Sequence, residues 1–144
     1  MSAVKEWFGV YNIIFKHVRE TYGMKELDQY IKYIADEANS DISEQMRGKP
    51  VRVSAEWFAG NFTKDGADFD LSEPDGKAEI AMRHCAAYDY MEHSTNPYDK
   101  PDDYYCDCCK KLNEQICANA GITLDIADAD KKGKCRWTFS KEDK

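Results

Sequence analysis

Apolar residues recur with a helical period at the start of the chain. Val4, Trp7, Phe8, Tyr11, Phe15, Val18 and Tyr22 fall on one broad face, which predicts an amphipathic helix over residues 3–22. Gly23 can stop it, because glycine readily takes the left-handed conformation that follows many helices. Leu27, Tyr30, Ile31, Ile34 and Ala38 repeat the pattern over residues 25–39. Two such helices joined by a short turn should pack as an antiparallel pair. Residues 40–53 are polar and are broken by Gly48 and Pro50. Ser54 is then placed to cap a third helix, Ala55–Thr63, with Trp57, Phe58 and Phe62 facing inward.

The period then changes from that of a helix to that of a strand. Phe69 and Leu71 alternate with Asp68 and Asp70, and Ala78, Ile80 and Met82 alternate with Lys77, Glu79 and Arg83. Between them Ser72-Glu73-Pro74-Asp75-Gly76 is a strong turn signal. This predicts a β-hairpin, 67–72 with 77–84, whose second strand delivers His84 and Cys85 at its end. A short helix can follow, and then the loop Ser94–Pro101. A loop of that length in a small domain often carries function. Residues 104–119 read as a helix bearing Cys106, Cys108, Cys109, Leu112, Ile116 and Cys117, and Gly121 stops it. Ile122, Leu124 and Ile126 alternate as a third strand, Asp130–Gly133 reads as a turn, and Cys135, Trp137 and Phe139 alternate as a fourth.

The expected fold class is therefore α+β: N-terminal helices packed on a small, mainly antiparallel four-stranded sheet, with an inserted cysteine-bearing helix. The 144 residues suit a single domain over 1–144, with a helical half (1–66) and a cysteine-rich strand-helix-strand half (67–140).

Charge narrows the partners. A net charge of −7 argues against nucleic acid and against an anionic membrane surface. The start MSAVKEWFGVYN lacks the pattern of a signal peptide, and no stretch approaches the roughly 18 apolar residues of a spanning helix. The expectation is a soluble cytoplasmic protein, whose cysteines would be thiols, thiolates or metal ligands rather than bridges. Its partner would be a small molecule.

Candidate chemistry lies between His84 and Cys135, which enclose all six cysteines and two of the three histidines. Cys106 and Cys109, three apart, share a helix face, and Cys85 and Cys135 at strand ends could approach it. Thiolates from Cys85, Cys106, Cys109 and Cys135 could hold a soft metal such as Zn(II) or a thiophilic ligand. Cys108 and Cys109 cannot both face inward on one helix, and Cys117 and Cys135 fit core positions by period. Alternatively Cys85 could be a nucleophile with His84 or His93 as its base, although adjacent strand residues point to opposite faces. His17, in the first helix, reads as a surface or boundary residue. Asp89, Glu92, Asp99, Asp102, Asp103 and Asp107 crowd the long loop beside Tyr88, Tyr90, Tyr98, Tyr104 and Tyr105, a composition that would suit a small pocket.

Two motifs carry a family resemblance. They are Arg83-His84-Cys85 closing a strand and the final Gly133-Lys134-Cys135-Arg136-Trp137-Thr138-Phe139, with a cysteine-bearing helix between them. Over about residues 67–140 this order resembles the L-2-amino-thiazoline-4-carboxylic acid hydrolase-like family. The resemblance implies hydrolysis of a C–N bond in a small cyclic substrate, with Cys85, one of Cys106, Cys108 or Cys109, and Cys135 at the family's cysteine positions. The chain departs from that pattern in its Cys106-Asp107-Cys108-Cys109 run. A similar arrangement occurs in small-molecule-binding domains of the 4-vinyl reductase type, which implies binding without catalysis. From the residues, binding of a soft metal or thiophilic small ligand is the leading expectation, and a hydrolase is the alternative.

Overall fold

Helix α1 (Ala3–Tyr22) ends where Gly23, at φ 96°, donates its N–H to the Arg19 carbonyl. Helix α2 (Met24–Tyr33) returns along it, and the two bury Phe15, Leu27, Ile31 and Ile34 between them. The computed structural model describes residues 3–127, 130 and 132–141, with side chains from residue 5 onward. Val4, assigned to the apolar face of α1, and Lys131, within the Asp130–Gly133 turn, therefore lie outside the described side chains and residues.

The segment after α2 departs from expectation. The chain widens into a π turn over Ile34–Ala38 and then forms a further helix, α3 (Ser40–Met46). Polarity hides this helix because one of its buried residues is a serine: Ser43 donates its hydroxyl to the Ile116 carbonyl at 2.8 Å. Ser54 is not a cap. Helix α4 (Val51–Asp65) begins directly after Pro50, which lacks an N–H where a helix start requires none. Val51, Ala55, Phe58 and Ala59 form its buried stripe. Ser54 lies fully buried inside it, and its hydroxyl has no hydrogen-bond partner among the described residues.

Strands β1 (Asp68–Ser72) and β2 (Ala78–His84) pair antiparallel across the Pro74–Gly76 turn. Strands β3 (Ile122–Ala127) and β4 (Cys135–Lys141) form a second antiparallel pair. The two pairs join through β2 and β4, giving the order β1-β2-β4-β3. In that seam Ile80 lies opposite Trp137 and Met82 opposite Cys135. Alternation puts Ala78, Ile80, Met82, Trp137, Phe139, Ile122, Leu124 and Ile126 on one buried face. Helices α4 and α6 (Tyr105–Asn119) cover that face. Phe58 of α4 meets Trp137 at 5.2 Å between ring centroids, and Phe62 meets it edge-on at 5.1 Å.

Helix α6 runs between the sheet and the α1–α2 pair, which settles the placement of its cysteines. Cys108 is buried among Phe15, Leu27, Ile31 and Ile34, whereas Cys117 is buried in the core over the sheet. Both Cys108 and Cys109 therefore face protein, because α6 is covered on two sides. The expectation that only one could do so assumed a single covered face.

The long loop is a structural clasp on α1. Asn12 is buried; its side-chain amide donates to the Lys100 carbonyl at 2.7 Å and accepts from the Asp102 N–H at 2.9 Å. Arg19 pairs with both oxygens of Asp102 and lies over the Tyr104 ring at 4.4 Å. Burial alone would raise the Asp102 carboxyl, but the Arg19 guanidinium and the Tyr104 N–H outweigh it and hold it below its usual range. A side chain at Gly9 would start 2.4 Å from an oxygen of the buried Asp99, so glycine is needed for this close approach. Of the five tyrosines expected to build a pocket here, only Tyr88 and Tyr105 line the cavity; Tyr98 is exposed.

Three substitutions probe this packing. Asn12→Ala strands the Lys100 carbonyl and the Asp102 N–H, and should cost about 2 kcal/mol in urea unfolding. Exposed Lys16→Ala should stay within about 0.5 kcal/mol of the parent. Ser54→Ala removes an unsatisfied buried hydroxyl and should leave stability equal to the parent or raise it by about 1 kcal/mol. A loss above that figure would mean the hydroxyl has a partner.

Candidate functional site

Where β2 ends and β4 begins, the helices do not close over the sheet. A cavity of about 510 Å³ remains. Helix α1 contributes Trp7, Phe8, Tyr11 and Phe15, and α4 contributes Phe58, Phe62 and Asp65. The sheet end supplies Met82, Cys85, Cys135 and Trp137. Helix α5 (Ala86–His93) adds Ala86, Ala87 and Tyr88, and α6 adds Tyr105, Cys106, Cys109, Leu112 and Asn113.

Local chemistry explains how the cysteines arrive there. Cys85 stands at the start of α5, just after β2, and its N–H donates to the Gly133 carbonyl at 2.8 Å. Gly133, at φ 101°, is buried against it; a side chain there would start 3.3 Å from the Cys85 nitrogen. Only glycine fits both the conformation and the contact. Two residues later Cys135 opens β4, and its sulfur accepts a hydrogen bond from the Trp137 indole at 3.2 Å. Cys106 and Cys109 share one face of α6, as their spacing predicts, and the Asn113 amide donates to the Cys109 sulfur at 3.4 Å.

Four of the sequence candidates, Cys85, Cys106, Cys109 and Cys135, thus converge on one cavity. All four are free thiols. Among the described residues no group of three or more Cys, His, Asp or Glu side chains has the arrangement needed to hold a metal ion. Burial dominates the electrostatics. It pushes Cys106 and Cys135 up to about 11 and Cys109 well above its ordinary value, with the neighbouring thiols adding to each. It raises Cys85 as well. The Tyr88 and Ala87 amides at the start of α5 oppose that rise without cancelling it. These sulfurs are neutral thiols near pH 7 and act as a soft, polarizable wall.

The histidines go elsewhere. His84 Nε2 pairs with an Asp89 carboxylate oxygen at 2.9 Å, and His93 Nδ1 lies 3.0 Å from the same oxygen. The Asp89 carbonyl and carboxylate raise His93. Both rings are exposed, and neither lines the cavity. His17 is also exposed.

The aromatic wall and Asp65 were not among the sequence candidates. Trp7, Phe8, Tyr11 and Phe15 gave a signal, since they supply more large aromatics than one helix face needs for packing. Asp65 carried none beyond its place seven residues after Phe58 on the same helix face.

Thiol chemistry tests this geometry. At pH 8, Cys106 and Cys135 of the folded chain should react with iodoacetamide about 100-fold more slowly than in the urea-unfolded chain, because the thiolate fraction falls by that factor. Peptide mass mapping reads the sites, and equal rates in the two states would show the sulfurs to be ionised or solvent-exposed. The same raised values mean stability is full below pH 9 and is lost as pH rises toward 11, where the unfolded chain ionises first.

Comparison with protein-family models gives no match, and comparison with curated proteins gives none. The likeness of residues 67–140 to the thiazoline-carboxylate hydrolase-like family therefore rests on the two motifs alone. Among solved structures, the chain is similar to the crystal structure of the phenol-responsive sensory domain of the transcription activator PoxR with phenol. That similarity has 13% identity over 93% of this chain and 74% of that one, with a TM-score of 0.46.

Proposed function

We propose that this chain is a small-molecule-binding module and that its ligand occupies the cavity between α1, α4, α6 and the sheet end. The observation that carries this reading is the cavity's make-up: about 510 Å³, walled by aromatic rings and neutral thiols, with few polar groups. That volume suits a ligand of one or two fused rings, and an apolar wall with a few placed polar atoms is the usual design of such sites. Trp7 belongs to the wall and is 56% exposed, so it stands at the cavity's edge. The thiols favour a polarizable ligand surface. In the soft-metal alternative Cys85, Cys106, Cys109 and Cys135 would have to ionise and move together, as metal binding at thiols releases protons. The hydrolase alternative would need a base for Cys85, and His84 and His93 both direct ring nitrogens to Asp89.

The test uses the neutral fluorophore 6-propionyl-2-dimethylaminonaphthalene. It should bind at one site with a blue-shifted emission and energy transfer from Trp7 and Trp137. Ala86→Phe, which fills the cavity, should weaken binding about tenfold or more while the melting temperature holds. Undiminished binding in that variant would move the site elsewhere. Elemental analysis of protein purified without chelator checks the metal alternative. Stoichiometric zinc that is lost in Cys106→Ser would replace the ligand reading.

A further inference from the structure

Among the described residues lining the cavity, Asp65 is the sole carboxylate. It is the last residue of α4, and Phe58, Phe62 and Asp65 lie on one helix face. Its carboxylate makes no hydrogen bond or ion pair with any described residue. Several other acids are engaged: Asp68 and Asp70 by Arg83, Asp89 by two histidines, Asp99 by Ser94 and Asp102 by Arg19. Asp65 is half-buried beside rings that cannot solvate it, and that burial raises its carboxyl, against smaller opposing effects of Lys5 and Lys64. The Lys5 ammonium lies 3.9 Å from where a Gly66 side chain would begin, and its charge also acts on Asp89. Across the cavity, Lys134 is exposed and acts on Asp130.

Carboxylates act on other parts of the wall, whose described lining also includes the cation Lys134. Cys85 feels Asp65 and Asp89, Cys106 feels Asp107 and Asp130, and Tyr88 feels Glu92, Asp130 and Asp103. A cation seated at Asp65 gains from that carboxylate, and the rings can present their faces to it.

We infer that the cavity's ligand is a hydrophobic amine, its ammonium seated on the Asp65 carboxylate and its apolar body among Trp7, Phe8, Phe62 and Trp137. The inference rests on the cavity reading above. A carboxylate with no partner among the described residues, at the edge of an aromatic cavity, gains no counter-charge from a neutral ligand and repels an anionic one. An ammonium supplies the missing donor and charge together, in a charge-assisted hydrogen bond.

Three matched probes decide the matter at pH 7 by calorimetry: 2-(1-naphthyl)ethylamine, 2-(1-naphthyl)ethanol and 3-(1-naphthyl)propionate. In the parent chain the amine should bind about tenfold tighter than the alcohol, and the propionate weakest. Asp65→Asn should bring the amine down to the level of the alcohol and leave the alcohol unchanged. Equal affinity for amine and alcohol, a propionate that binds tightest, or an amine preference that survives Asp65→Asn would each overturn the assignment. If Asp65→Asn does not fold, the order of the three probes in the parent chain still decides. Binding of the alcohol without preference for the amine overturns this inference alone. Binding of no probe overturns the cavity reading with it.

Discussion

Pairing of β2 with β4 is the constraint on which the site depends. Each strand already has a local partner, and only the register that sets Ile80 against Trp137 and Met82 against Cys135 makes one sheet of two hairpins. The same register sets the end of β2 beside the start of β4. Cys85 and Gly133 can then share a backbone hydrogen bond, and Cys135 comes to the same cavity. A slip of one residue would turn Trp137 away from Phe58 and Phe62 and carry Cys135 to the outer face.

Helix α6 divides the cysteines by environment. Covered by the α1–α2 pair on one side and the sheet on the other, it buries Cys108 and Cys117 in two different packed clusters and turns Cys106 and Cys109 to the cavity. Burial in both settings favours the neutral thiol, so the crowded cysteines form a polarizable surface and not a charged one. Charge in the described lining comes instead from Asp65 and Lys134.

Much of the fold was legible because its periods are long. Helix α1, the alternation of Ala78-Ile80-Met82 and the Trp137-Phe139 strand all appear where the patterns place them, although Trp7 and Tyr22 of the α1 stripe are exposed. What escaped was short or chemically disguised. Helix α3 spans seven residues and buries a serine, and α4 starts at Val51 because Pro50 serves as its beginning. The site was legible for its cysteines, since strand ends and a helix face sufficed to bring Cys85, Cys106, Cys109 and Cys135 to one region. It was not legible for the histidines, whose turn toward Asp89 depends on the geometry of the β2–α5 junction. The aromatic wall showed in the sequence only as an excess of aromatics on α1, because α1 and α4 reach the cavity only through tertiary packing.

The strand order has a kinetic side. β1 with β2, and β3 with β4, close over short intervals, whereas Met82 and Cys135 are brought together across α5, α6 and β3. Closing a loop of that length costs on the order of 3–4 kcal/mol in chain entropy, which little local structure repays in advance. Fusion of the hairpins is thus a non-local step of assembly, and the cavity is a product of that step. A partly folded chain can hold its helices and both hairpins and still have no cavity.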